Sequence, residues 1–348
     1  MRLLQINLNH CKAAQELLTQ TVYEKKVDVA IICEQYKNPC LGTWVEDLTG
    51  KVAVWACGNK THQDRPLGNR KYYTMTKIGG VHIYSCYVPP SISQVEYEQI
   101  LDNLVRDALT TTPNIIAGDF NAWAMEWGSR GTNQRGHALL RAFSILDVVL
   151  LNTGARNTFE KNGRGSIIDI TFVSPVLAAR TNWQVSDTYT HSDHLAIIID
   201  ISSIAVRERS GRMMKAQTKG WKDETMDEDI FGQMLDENIT FSSDANERAN
   251  HLAEHITRAC DAAMVRRRST SARRPVYWWN SEIAVLRRDC HSARRHYQRS
   301  RGEADNERLR AIFKAKRRDL KVAIRRSISF CFKKLSDKVD ENPSEECS

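Results

Sequence analysis

Nine cysteines lie scattered through 348 residues with no C-x-x-C pair among them, in an odd number, and no Cys/His group has zinc-site spacing. A disulfide framework and a structural zinc are thereby excluded, and the cysteines read as reduced, mostly buried residues of an intracellular protein. No apolar run approaches the roughly 18 residues of a membrane span. MRLLQINLNH at the N-terminus enters a strand pattern directly, without the charged, apolar and small-residue order of a secretory leader. No segment repeats at a period of roughly 20–50 residues, which excludes solenoids and propellers. The expectation is a chain with no membrane partner, cytoplasmic before import and nuclear at its destination.

Charge is absent from one half only. Residues 1–205 hold 19 Lys+Arg against 19 Asp+Glu, so the whole net charge of +8 falls in residues 206–348, with 31 basic and 23 acidic side chains. Within that half, residues 266–334 carry 22 basic and 6 acidic groups. Such a segment attracts polyanions, nucleic acid above all.

From Leu3 to about Ile201, short β-type runs (LLQINL, VDVAIIC, KVAVWAC, YYTMTKI, VHIYSCYV, NIIAG, DVVLLN, SIIDITFV, LAIIIDI) alternate irregularly with a few helices. Several runs follow one another with no helix between, which argues against a regular doubly wound sheet. The fold class expected is α/β, two mixed β-sheets packed face to face as a sandwich with helices outside. Ser93 and Glu96 make a capping box at the head of one helix, and residues 135–146 form a second candidate. Residues 1–203 thus read as one domain and 204–221 as a polar linker, followed by an α-helical basic region over 222–340. Within it, 281–335 reads as two antiparallel helices joined near Arg301-Gly302.

Three distant segments carry chemistry: VAIICE ending at Glu34, the GDFNA turn with Asp119 and Asn121, and the SDH turn with Asp193 and His194. Phosphodiester hydrolysis needs charge neutralisation on the phosphoryl oxygens, an activated water and help for the departing alkoxide. Glu34 stands alone after an apolar run, where a carboxylate is plausible at a strand end facing Mg²⁺, and Asn7 offers a neutral oxygen beside it. Asp119 is the candidate general base, and Asn121 the holder of the phosphate or the water. His194 is the candidate donor to a phosphoryl oxygen, with Asp169, inside the apolar SIIDITFV, as the carboxylate that orients it. Tyr87, ending VHIYSCYV, offers a hydroxyl to developing charge. Taken singly, GDFN is an ordinary turn, SDH an ordinary element start, Asp169 an ordinary structural hydrogen-bonder and Tyr87 an ordinary core residue. The joint pattern is what discriminates: polar positions, in order, at strand ends built otherwise from Ile, Val and Leu.

QINLN, IICE, CYVPP, GDFNA, SIIDITFV and THSDH, in that order and spacing, resemble the motifs of the endonuclease/exonuclease/phosphatase superfamily, which has the DNase I-like fold and includes the apurinic/apyrimidinic endonucleases. The likeness covers residues 1–202. AWAMEWGSRGTNQRG, LLNTG and NTFEKNGRGSIIDITFVS are similar to the endonuclease domain of insect non-LTR retrotransposons, particularly the target-specific group. The resemblance implies Asn7 and Glu34 at Mg²⁺ (with Mn²⁺ as a substitute), Tyr87 and Asn121 on the phosphate, Asp119 activating water, Asp169 orienting His194, and Asp193 supporting the metal–phosphate cluster. It also implies nicking of one DNA strand to leave 3′-hydroxyl and 5′-phosphate ends. Asn9 stands where many relatives outside the retrotransposons have aspartate, which leaves any second metal position open. Arg130 and Arg135, in the stretch after GDFNA, are further candidates for binding nucleic acid.

RRPVYWWN and the basic helix beyond it resemble the segment that leads toward the reverse transcriptase in those polyproteins. Its Arg and Lys rows suit the phosphates of DNA or of the element's RNA, and Trp278 and Trp279 are candidates for stacking on bases. In a helical hairpin with apolar stripes the same two residues are more often core. RRRSTSARR at 266–274 has the composition of a nuclear import signal. No F/Y-x-D-D pair occurs, so the chain reads as an element-derived endonuclease with its connecting region, truncated before the polymerase. The competing readings are a phosphomonoesterase or RNA-directed hydrolase of the same fold, and a catalytically silent nucleic-acid-binding remnant.

Overall fold

The computed structural model describes residues 1–39, 43–58, 60, 62, 63, 70–202, 221, 225–235, 245–264, 275–300 and 304–341. The basic run at 266–274, nearly all of the linker expected at 204–221, and Arg301-Gly302 lie outside the described residues. The chain divides into two compact units, one holding Met1–Ile204 together with Arg273–Ser348, the other Ala205–Ala272.

Two mixed sheets make the body of the first unit. The first runs β12 (Thr181–Val185), β13 (Ile197–Ile201), β1 (Arg2–Asn7), β2 (Val29–Cys33), β4 (Val52–Ala56) and β3 (Trp44–Glu46). The second runs β5 (Tyr73–Ile78), β6 (Val81–Tyr87), β7 (Asn114–Asp119), β11 (Asp169–Val173) and β8 (Val149–Leu150). A small hairpin, β9 (Phe159–Lys161) and β10 (Arg164–Ser166), stands beside them. Each strand expected from the apolar runs is present, and the sandwich is the one anticipated. The short β3, β9, β10 and β12 were not legible as strands. β9–β10 did carry a signal, since Asn162-Gly163 at φ 49° and 77° is the Asn-Gly pair that two-residue hairpin turns favour.

Side-chain alternation explains the layers. On β1, Leu3 points between the sheets toward Ile83, Ile115 and Val173, while Leu4 and Ile6 point outward onto α1 (Lys12–Lys25). The outer face of the second sheet is covered by α2 (Gln94–Leu109) and α3 (Gln134–Phe143). The α2 capping box is present, with the Ser93 hydroxyl accepting from Glu96 N and the Glu96 carboxylate from Ser93 N. α3 ends three residues earlier than expected, and a one-turn α4 (Pro175–Ala178) precedes β12. α1 was not singled out in the sequence because both its sides are buried: Ala14, Leu18 and Val22 against the sheet, Ala13 and Leu17 against the C-terminal helices. Apolar residues on two faces blur the 3.6-residue stripe.

Gly118 sits where β7 crosses close to β6, and a Cβ there would lie 1.9 Å from the backbone oxygen of Cys86. Backbone cannot swing aside as a side chain does. Gly118→Ala is therefore expected to lower stability by about 3 kcal/mol or more, measured by urea unfolding; a loss under about 1 kcal/mol would show that the two strands separate easily.

The C-terminal helices α7 (Ser281–Arg299) and α8 (Asn306–Glu341) pack antiparallel, as the Cys290 to Lys316 and Asn280 to Ser327 hydrogen bonds show, and they belong to the same unit as the sandwich. Trp278, Ile283, Cys290, Leu320 and Ile324 form a core with Ala13, Leu17 and Tyr189. Arg287, 7% exposed, bolts this core to the sandwich by donating to Tyr189 O, Glu24 Oε2 and Thr21 Oγ1. In the second unit α5 (Glu228–Leu235) packs on α6 (Ala245–Ala263), and Trp221 Nε1 donates to Asp261 Oδ1 at 2.8 Å. Among the described residues seven cysteines are free, five of them buried, and no helix is long and apolar enough to cross a membrane.

Candidate active site

The alternation that puts Leu3 and Gln5 inside also puts Asn7 inside, and the same parity governs every strand around it. Asn7 lies opposite Cys33 across β1–β2, and in the second sheet Tyr87 lies opposite Asp119 and Asp119 opposite Asp169. Asn7, Tyr87, Asp119 and Asp169 therefore share one rim of the space between the sheets. One layer below, Gln5 Nε2 donates to Gly118 O and Ile170 O while its Oε1 accepts from Thr171 Oγ1, so the two sheets are pinned together directly beneath the rim.

Loops bring the remaining groups. Glu34, one residue past β2, holds φ at 48°, and Asn121, two past β7, also holds 48°. Left-handed backbone at non-glycine positions costs on the order of 1 kcal/mol each and gathers where function demands it. The SDH turn is tied to β1 by Ser192 Oγ donating to Asn7 O at 2.8 Å.

The groups interlock. His194 Nδ1 donates to the Asp169 carboxylate at 2.9 and 3.1 Å, which turns Nε2 toward Asp119 Oδ2 at 3.9 Å, an ion-pair distance. Phe159 packs against the imidazole at 4.8 Å between ring centres. Asp119 accepts from Asn7 Nδ2 and from Asn121 N, both at 3.0 Å. Tyr87 donates its hydroxyl to Glu34 Oε1 at 2.6 Å, and His10 Nε2 lies 3.4 Å from the same oxygen. Asp193 accepts from Asn9 Nδ2 at 2.9 and 2.8 Å and lies 3.4 Å from Lys161 Nζ.

Burial shapes the charge states. Asp119, 2% exposed, is pushed up to about 7 by burial and by Asp169 beside it, with His194 pulling the other way. Burial works against charge on His194, but Asp169, then Asp119 and Asp193, override it and lift the imidazole to about 9. Burial and the bond to Glu34 keep the Tyr87 phenol protonated. Near neutral pH the site thus favours an imidazolium, a carboxyl at Asp119 held well above its ordinary acidic range and a phenol donor.

Asp119, Asp169 and His194 offer ligand atoms within 4.8 Å of one another, so a cation could be held here. A metal-bound imidazole must be neutral, whereas Asp169 holds this one protonated. The rim's excess of carboxylate, with Glu34, Asp119, Asp169 and Asp193 facing one imidazolium and Lys161, is the donor set a hard divalent ion fits.

Glu34, Asn7, Tyr87, Asp119, Asn121, Asp169, Asp193 and His194 all converge, with one difference in pairing. Asn7 was expected beside Glu34; it instead steadies Asp119, because register places it opposite Cys33 rather than Glu34. Three other placements correct the sequence reading. Arg135 donates to Pro89 O, Pro90 O and Ile92 O and stacks over Tyr97, so three of its five N–H donors clamp a loop. Trp278 is 2% exposed and is core, not a stacking platform. Trp279 is half-buried with Arg287 over its ring. Arg130 is exposed, as are Trp123 and Met125 on the loop after Asn121. His10 and Lys161 escaped the sequence reading altogether, since nothing in NLNH or EKNG marks them before the turns fold. Asn9 uses its amide to bind Asp193, where an aspartate would repel it.

Known proteins resemble this chain in sequence and in fold. Residues 81–198 match the family model described as endonuclease-reverse transcriptase. The chain is 30% identical over 135 residues to a probable RNA-directed DNA polymerase from transposon X-element of Drosophila melanogaster, covering 38% of this chain and 14% of that protein. It is 24% identical over 236 residues to a putative 115 kDa protein in type-1 retrotransposable element R1DM of the same organism, covering 63% of this chain and 22% of that protein. The chain therefore spans less than a quarter of the length of either curated relative. The endonuclease domain of TRAS1, a telomere-specific non-LTR retrotransposon, superposes with a TM-score of 0.51 at 24% identity, over 57% of this chain and 97% of that one.

Proposed function

We propose that this chain, which carries a DNase I-like domain of the endonuclease/exonuclease/phosphatase type akin to those of non-LTR retrotransposons, is a Mg²⁺-dependent DNA endonuclease that nicks one strand and leaves 3′-hydroxyl and 5′-phosphate ends. One observation carries the reading: Glu34, Asp119 and the Asp169–His194 pair, drawn from four distant segments, meet at a single rim.

Asp119, poised near neutrality, takes the proton of the attacking water, and Asn7 and Asn121 hold its two oxygens in place. The imidazolium of His194, fixed by Asp169 and by the Phe159 ring, donates from Nε2 to a phosphoryl oxygen as negative charge builds there. As the water oxygen bonds to phosphorus the P–O3′ bond breaks; Tyr87 turns its hydroxyl from Glu34 toward the developing charge, and the departing 3′ oxygen takes up a proton from solvent water. A divalent ion held by Glu34 would supply neutralisation of the phosphoryl oxygens and acidify the attacking water.

A supercoiled plasmid tests this. Conversion to open circle should require Mg²⁺ and cease in chelator, and Glu34→Gln should raise the Mg²⁺ concentration for half-maximal nicking by about tenfold or more, as loss of ligand charge does. Sequencing the ends at the nick reports their polarity. Nicking that persists in chelator, or that is indifferent to Glu34→Gln, refutes the assignment.

A further inference from the structure

Asn9 and Asp193 form one wall of a cleft of about 220 Å³ whose other walls come from far along the chain. Lys161 enters from the end of β9, Arg294 from α7, and Arg310, Lys314 and Arg317 from α8. These five cations face two acids among the lining residues, Glu160 and Asp193.

The acids do not neutralise them. Glu160 is shared between Arg294, at 3.5 Å, and Gln298, and Asp193 already accepts twice from Asn9 besides lying 3.4 Å from Lys161. Arg317 donates to the neutral His191 O at 3.1 Å, and Arg310 to Asn162 Oδ1 at 3.4 Å, its one acid being the solvent-exposed Glu307 at 3.6 Å on its own helix, a pair that water largely screens. Arg294 has a side chain only 8% exposed. A nearly buried guanidinium with half a carboxylate for company is costly unless an anion completes its surroundings. The cleft is open, lies beside the acid that closes the catalytic rim, and has the guanidinium forks that match phosphate oxygens.

We propose that this cleft holds the backbone phosphates of the DNA strand adjoining the scissile phosphate, which makes the α7–α8 hairpin part of the nuclease's substrate-binding surface. The proposal rests on the nuclease reading for the identity of the strand. The hairpin is then no mere tether: its apolar stripe docks it on α1 and Tyr189, and its opposite corner supplies cations to the rim.

The test is equilibrium binding of the full chain to a labelled DNA duplex in chelator, across a salt series, so that turnover plays no part. Arg310→Glu with Lys314→Glu should weaken binding about tenfold or more and make the slope of log K against log salt shallower by about 1–2, one for each phosphate that is no longer neutralised. The comparison is Lys333→Glu with Lys334→Glu, the same charge change about 28 Å farther along α8, which should cost less than about twofold. Lys314→Glu alone, at an exposed position that folding tolerates, should show roughly half the slope change. Equal losses from the near and distant pairs, no loss from the near pair, or tighter binding by it would overturn the proposal. Cleft-dependent binding by a chain that nicks no plasmid would remove the nuclease reading and leave the cleft standing.

Discussion

Asp119→Asn should reduce plasmid nicking by about 10²–10⁴-fold, the usual contribution of a positioned general base, while the metal-free protein becomes more stable at pH 8. The two effects share one cause. Asp119 is buried beside Asp169, and its folded carboxyl titrates near 7 rather than at its ordinary acidic value. A raised carboxyl pKa means the folded state binds the proton more tightly than the unfolded one. The stability so gained is fully present below about pH 4 and is lost as pH rises through 7. His194, raised to about 9, acts in the same direction, and its contribution disappears between about 6.5 and 9. Asparagine removes the first loss, so the variant's Tm at pH 8 should exceed wild type by about 2–4 °C, and the difference should vanish below pH 4. Wild-type nicking should rise along an acid limb at or below 7 and fall along an alkaline limb near 9. Retained activity in Asp119→Asn, or a variant less stable than wild type at pH 8, would show that Asp119 is a structural acid.

Trp278→Ala should cost about 3–5 kcal/mol, the range for emptying a fully buried large aromatic site. Trp278 is 2% exposed, packs in the core formed by Ile283, Leu320, Ile324 and the α1 residues Ala13 and Leu17, and its carbonyl accepts from Ser327 Oγ at 2.6 Å. The loss should be local. Hydrogen exchange should quicken in α7 and in the part of α8 around Leu320–Ser327, while β1, β7 and β11 keep their protection because Gln5 still pins the sheets. DNA binding in chelator should weaken along with it, since the cleft's Arg and Lys residues ride on the hairpin. Unchanged exchange in both helices would mean that Arg287, with its bonds to Tyr189, Glu24 and Thr21, suffices to dock them.

Trp278 also illustrates where sequence reading stops. PVYWWN next to a basic helix fits a stacking platform and, more readily, a hairpin core, and one-dimensional composition does not settle which. The choice comes from α1, some 260 positions upstream, whose second apolar face needs a partner. Arg135 is a parallel case: its charge suggests DNA, but the carbonyls of Pro89, Pro90 and Ile92 claim its donors first. His10 and Lys161 were invisible for the converse reason, because Glu34 and Asp193 become their neighbours only after left-handed turns at His10 and Asn162 redirect the chain.

Local chemistry alone was enough for the nine strands that apolar runs mark, the α2 cap and the candidate site side chains: each run is too apolar to lie in water, and a polar residue ending such a run has nowhere to go but a rim. Pairing was beyond its reach. Whether Asn7 serves Glu34 or Asp119, which tryptophan is core, and that the basic helices close one side of the rim depend on strand register and on helix docking, which are set by burial between segments hundreds of residues apart and leave no trace in any one of them.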